Sequence, residues 1–245
     1  MSRERLNQGY ALVIPGILGE QVWDRNVARS IADSQFPGAV EIHDGTKGPL
    51  MMGVNMAGNQ CETCRIARKI VDYTRHYPGR PVYLVGHSVG GNMAVRALEA
   101  LPHGVQVEKA ILLAPGLASH YDLRHSMQHS RSGIVAYSSP IDAPVSVPLA
   151  AIHGLSRGEL CLPAAVIGFT TPQGLTAAER ADYQRQLRQR RYSLAMLKSG
   201  HTGGHWGWTS PQFVTKYVTQ ELTPPEKSLV SQPASVVLTS GLANH

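Results

Sequence analysis

One hexapeptide constrains this chain more than any other feature: Gly86-His87-Ser88-Val89-Gly90-Gly91, set between an apolar run and an amphipathic one. The run before it, Pro81-Val-Tyr-Leu-Val-Gly86, has the length and the β-branched and aromatic content of a buried strand. The run after it, Asn92 to Leu101, repeats Met93, Ala94, Ala97, Leu98 and Leu101 at helical spacing. A strand that turns into a helix this sharply leaves no room for side chains at the turn, and Gly86, Gly90 and Gly91 remove the collisions. Such a turn lifts the Ser88 hydroxyl above the carboxyl edge of a sheet and aims the Val89 amide, at a helix N-terminus, at any oxyanion formed beside it. The spacing alone does not suffice, because Gly154-Leu155-Ser156-Arg157-Gly158 has it too. No strand precedes Ser156, and the Pro, Gly and Ala around it predict an idle loop.

Other short apolar runs resemble the one before Ser88: Tyr10 to Ile14, Val107 to Ala114 and Gly133 to Tyr137, with Ala39 to His43 a weaker example. Helical patterns alternate with them, as in Cys61 to His76, where Ile66, Ile70 and Tyr73 share a face. The alternation predicts an α/β fold with a mostly parallel central sheet flanked by helices on both faces. At 245 residues one domain is the expectation, with residues 1–222 forming it, an insertion at about 143–191, and a loosely ordered C-terminal extension over 223–245. Within the insertion, Thr176-Ala-Ala-Glu179 predicts a capped helix reaching about Arg191, and Ser210-Pro211 predicts a last helix with Phe213, Val214, Tyr217 and Val218 inward.

A net charge of +6 raises the question of nucleic acid, but the densest basic cluster, Arg180, Arg185, Arg188, Arg190 and Arg191, has no aromatic stacking partners. It reads as one solvated helix face, and no nucleic-acid partner is expected. No hydrophobic run approaches the roughly 20 residues of a membrane span, and no export signal is evident in the first residues. Three cysteines are too few for a disulfide framework and point to a reducing, cytoplasmic location. Cys61 and Cys64 form half of a metal or redox motif without a second pair, so no metal is expected.

A serine nucleophile needs a base from the same sheet edge. His201-Thr-Gly-Gly-His205-Trp-Gly-Trp208 is the segment that can supply it; His205, adjacent to the last helix, is the first choice and His201 the alternative. A carboxylate must orient that imidazole. Asp142, after the strand ending at Tyr137, gives the chain order Ser88, Asp142, His205; Asp122, shortly after the preceding strand, is the alternative. A second oxyanion donor is expected after the first strand, in Pro15-Gly16-Ile17-Leu18-Gly19, with the Ile17 amide the candidate.

The Gly-His-Ser-Val-Gly-Gly turn, the Pro-Gly-Ile-Leu-Gly loop and the late Gly-Gly-His together resemble the α/β-hydrolase superfamily, in particular its lipase- and esterase-like serine hydrolases, over about residues 9 to 222. The 63 residues from position 142 to position 205 are more than the superfamily's usual short connection. The resemblance implies an ester or other small acyl substrate, with Ser88 attacking, His205 shuttling the proton and Asp142 orienting it. Acyl transfer on the same residues and a non-catalytic binding module on the same fold are the alternatives. No cofactor is implied, because nucleophile, base and oxyanion donors are all carried by the chain. The Met-rich segment Met51-Met52-Gly53-Val54-Asn55-Met56 would serve equally as the lining of an apolar pocket or as plain core.

Overall fold

The computed structural model describes residues 2–16, 19–43, 45, 56–155 and 161–223. Ile17, Met51 to Asn55, Ser156 and the extension beyond Thr223 lie outside the described residues. A one-turn helix α1 (Arg3–Leu6) leads into β1 (Tyr10–Ile14), α2 (Val22–Ala32) and β2 (Ala39–Ile42). The long helix α3 (Met56–His76) then precedes β3 (Val82–His87), α4 (Val89–Glu99) and β4 (Lys109–Leu113). After the short helix α5 (Arg124–Met127) comes β5 (Ile134–Ser138). The remainder is α6 (Ala143–Leu155), α7 (Ala164–Ile167), α8 (Ala177–Gln186), β6 (Leu187–Arg191) and α9 (Pro211–Phe213), which runs on through π-helical Val214–Val218 to Leu222.

The six strands form one sheet in the order β2-β1-β3-β4-β5-β6. All five pairings are parallel, with Leu12 opposite Leu84, Leu84 opposite Ala110, Ala110 opposite Ile134 and Ile134 opposite Leu187. The two-residue period of a strand divides the interior into two layers. Leu12, Leu84 and Leu112 face Ile66, Ile70, Met93 and Ala97 of α3 and α4. Val13, Val85 and Ile111 face Val27 and Ile31 of α2, together with Trp208, Phe213, Val214 and Val218. Strands buried on both faces explain why the sequence shows continuous apolar runs instead of alternation.

The helix expected from Thr176 begins as anticipated but does not reach Arg191. Thr176 Oγ1 accepts from the Glu179 amide and Glu179 Oε2 accepts from the Thr176 amide at 2.8 Å, a reciprocal cap. The helix ends at Gln186, and Leu187–Arg191 becomes the edge strand β6. Arg180 and Arg185 therefore lie on the helix, but Arg188, Arg190 and Arg191 follow a strand's period and do not continue that helix face. Arg188 and Arg190 turn toward Glu221, whereas Gln189, on the opposite side, holds both backbone groups of Phe169 at 2.7 and 2.9 Å. Charge along an edge also discourages a further strand from adding there.

Glu221 matters beyond that edge. Its carboxylate lies 3.1 Å from Lys109 Nζ, both side chains being nearly buried at 8% and 9% exposure, and its carbonyl accepts from the same amine at 3.0 Å. The pair fastens the C-terminal helical segment to the start of β4. Glu221→Ala should therefore lower unfolding free energy in urea by about 3 kcal/mol, because it strands a buried ammonium. Asp182→Ala, which removes an exposed partner of Arg185 and an acceptor for the Gln186 side-chain amide within the same helix, should change it by less than about 1 kcal/mol.

Candidate active site

The carboxyl ends of β1, β3, β4 and β5 form the rim on which the site is built. At the end of β3 the chain enters α4 through Ser88, whose φ of 57° and ψ of −121° lie in a region L-residues rarely occupy. Neighbouring backbone enforces that conformation. Ser88 N–H donates to Leu113 O at 2.9 Å, and Ser88 O accepts from the amides of Gly91 and Gly116 at 3.0 and 2.9 Å. A Cβ at Gly90 would lie 2.1 Å from Ile14 O, and one at Gly86 would lie 2.4 Å from Gly90 O. The glycines are what allow β1, β3 and α4 to meet here. Val89 opens α4, where a first-turn amide has no acceptor in its own helix. Gly16 lies against the serine, since a Cβ there would stand 3.4 Å from Ser88 Cβ. Ile17, the expected second donor, follows it outside the described residues.

Asp142 ends a 3-10 turn, Pro140–Asp142, just after β5. Ser139 shapes the turn: its Oγ accepts from the Ile141 amide at 3.2 Å and its carbonyl from the Asp142 amide at 3.1 Å. The Asp142 carboxylate is fully buried, and both its oxygens lie 2.9 Å from His205 Nδ1. Carboxylate oxygens only accept, so Nδ1 carries a proton, and in the neutral ring Nε2 is the nitrogen that keeps its lone pair. Ser146 of α6 approaches the same Nδ1 at 3.5 Å. Ser88 and His205 line one cleft with Gly16, His87, Trp23, Trp206, Val145 and Leu149.

The alternatives lie elsewhere. Asp122 is exposed and gripped by Arg124, with contacts of 2.6 to 3.0 Å that hold its carboxyl below the usual carboxylate range. His201 is fully buried, its Nδ1 accepting from the Gly203 amide at 2.9 Å and its ring standing edge-on to Trp208 at 3.9 Å. Cys64 is an exposed free thiol.

Sequence reasoning assigns His87 no role of its own, whereas the residue lines the cleft beside Ser88. It also missed the apolar walls. Val145 and Leu149 come from a stretch without a clear period, and Trp23 meets Trp206 only in space, at 6.1 Å between rings. The signal available for Trp206 was its position directly after His205.

Burial holds two histidines neutral, pushing His201 down to about 4 and, with His205 adding to the effect, His87 down to about 3. In the unfolded chain each titrates near 6.5, so their contribution is complete above that pH and is withdrawn as pH falls, by up to about 1.4 kcal/mol per unit each. Asp24 opposes this only below its own folded value: burial raises it to about 6, so the folded chain gains protons earlier there. Urea melts should thus show lower stability at pH 5 than at pH 7, with a shallower pH slope in His201→Gln.

Residues 65–140, which run from α3 to just beyond β5 and include the Ser88 turn, match the sequence profile of the family described as serine aminopeptidase, S33. Comparison with curated protein sequences yields no match. Among solved structures, the fold is similar to a predicted CIB-like hydrolase from Thermoplasma acidophilum, at TM-score 0.52 and 15% identity over 91% of this chain and 88% of that one. It is similar too to the poly(3-hydroxybutyrate) depolymerase LpqC from Bordetella parapertussis, at TM-score 0.51 and 15% identity over 89% and 80%. A protein of Xanthomonas campestris pv. campestris assigned to the α/β superfamily of hydrolases gives TM-score 0.50 and 16% identity over 87% and 99%. With a parallel six-stranded sheet, a strained serine at the β3–α4 turn and these structural matches, the chain has the α/β-hydrolase fold, and its residues 65–140 resemble a serine-hydrolase family of that fold.

Proposed function

We propose that the protein is a serine hydrolase that cleaves a carboxylic ester through an acyl-enzyme on Ser88. One observation carries this reading: the imidazole of His205 is held at Nδ1 by both oxygens of a buried aspartate, in a cleft that Ser88 also lines. Its Nε2 is then free to accept the Ser88 proton as Oγ attacks the ester carbonyl. The negative charge gathering on the carbonyl oxygen is met by the Val89 amide and, in this reading, by the amide of Ile17. Nε2 returns the proton to the departing alkoxide, which leaves as the alcohol. Water then attacks the acyl carbonyl, giving its proton to Nε2, and the carboxylic acid departs as Ser88 regains its hydroxyl. Val145, Leu149, Trp23 and Trp206 offer an apolar wall for a small-molecule ester, and the stretch 143–191 is read as an insertion whose first helix builds part of that wall.

A fluorophosphonate probe tests the proposal directly. The parent protein should take one adduct, mapped by mass spectrometry to Ser88, and should hydrolyse 4-nitrophenyl acetate; Ser88→Ala should do neither while melting like the parent. An adduct elsewhere, or undiminished turnover by Ser88→Ala, would show that another nucleophile operates.

A further inference from the structure

We infer that His87 is a positioning residue that straps the loop carrying the base to the turn carrying the nucleophile. The inference rests on the serine-hydrolase reading above and assigns a role to the histidine directly before Ser88. His87 is the last residue of β3, 3% exposed, and its Nε2 lies 3.1 Å from the backbone carbonyl of His205, 118 residues away in sequence. A carbonyl oxygen only accepts, so Nε2 must carry the proton and donate. The ring is neutral, which leaves Nδ1 as a bare acceptor; that atom is buried and has no hydrogen-bond partner among the described residues. Burial and the neighbouring imidazole, 4.9 Å away between ring centroids, both act against a second proton.

The loop explains why such a bond is needed. His205 is preceded by Gly203 and Gly204 and followed two residues later by Gly207, and the backbone between them is irregular. Asp142 holds the imidazole at one point, about which the backbone behind it could still swing. His87 grips the carbonyl of the same residue from β3, so His205 is held at its ring from the end of β5 and at its main chain from the end of β3. Because the gripping residue adjoins Ser88, the bond fixes the distance between the two reacting groups instead of merely stabilising the loop. The unpaired Nδ1 supports this assignment: an apolar side chain would leave no buried acceptor unsatisfied, so stability alone does not call for histidine here.

Two variants of equal length separate the donor from the volume. His87→Gln keeps an amide N–H near the Nε2 position, and His87→Met fills similar space without one. With 4-nitrophenyl acetate, His87→Met should lose about 10- to 100-fold in kcat with KM within about twofold, and labelling of Ser88 by fluorophosphonate should slow in parallel, as expected when a reacting group is displaced by a fraction of an ångström to an ångström. His87→Gln should recover to within about fivefold of the parent. Equal behaviour of the two variants, or parent rates in His87→Met, would overturn the inference. A measurement on the parent alone keeps it open to refutation if either variant fails to fold: imidazole nitrogen shifts at neutral pH should show His87 as the Nε2–H tautomer, and an Nδ1–H tautomer or an imidazolium would overturn it. If the parent takes no fluorophosphonate label, the hydrolase reading fails, and the nitrogen shifts still decide whether the bond exists.

Discussion

Asp142→Asn is expected to lower kcat for an aryl ester by about 10⁴-fold while leaving the fold intact. The carboxylate is fully buried with both oxygens 2.9 Å from His205 Nδ1, so no water can take over its role when one oxygen becomes an amide nitrogen. If that nitrogen faces the ring, it donates to Nδ1, and the imidazole must then carry its proton on Nε2, the atom that should be accepting from Ser88. The change is nearly isosteric, so the measurement is of kcat with a thermal melt as control. Asp122→Asn should leave kcat within about twofold, since it disturbs only an exposed pair with Arg124. A large loss in Asp122→Asn and a small one in Asp142→Asn would transfer the orienting role to the loop after β4.

His205→Ala should abolish turnover, by about 10⁴-fold or more, and should stop fluorophosphonate labelling of Ser88 on the timescale of minutes. The hydroxyl then has no acceptor for its proton and remains a weak nucleophile. His201→Ala tests the alternative in the same glycine-rich segment. Its ring is packed against Trp208, Phe213 and Tyr192, with 3.9, 5.1 and 4.9 Å between centroids, so its removal opens a cavity in the second core layer and should lower the melting temperature. Labelling should nevertheless persist. Persistence of labelling in His205→Ala together with its loss in His201→Ala would exchange the two roles.

Strands buried on both faces were the most legible part of this fold. Each of β1, β3, β4 and β5 is a short apolar run bounded by turn residues, and tertiary contacts had no competing local preference to overrule. β6 was illegible for the opposite reason: Leu-Arg-Gln-Arg-Arg has no apolar alternation after its first residue, and the strand exists because β5 offers an open ladder and Glu221 receives two of its arginines. The same strand, with α6 to α8 before it, accounts for the long connection between positions 142 and 205. The two aspartates had similar claims in sequence, yet Arg124, two residues beyond Asp122, was a readable sign that this carboxylate already had a partner. Nothing local marked Val145, Leu149 or Trp23, because a cleft wall assembled from three separated segments has no periodicity of its own. Nothing in the sequence singles out His87, because its bond to a backbone carbonyl 118 residues away cannot be foreseen from spacing.

The second core layer joins the two ends of the chain: Val27, Ile31 and Phe36 share it with Trp208, Phe213, Val214, Val218 and Leu222. That arrangement sets a timetable. During synthesis Val13, Val85 and Ile111 emerge early, but much of their cover is translated last, so the growing chain must keep an uncovered apolar sheet face until residue 222 has left the ribosome. Parallel pairing adds to the delay, since no two strands are joined by a hairpin and every ladder waits for a crossover. Because His205 arrives within the same closing segment, the imidazole cannot reach its aspartate before that layer packs. Refolding should therefore show secondary structure first and esterase activity last, and a nascent chain stopped before Trp208 should be a client for chaperones.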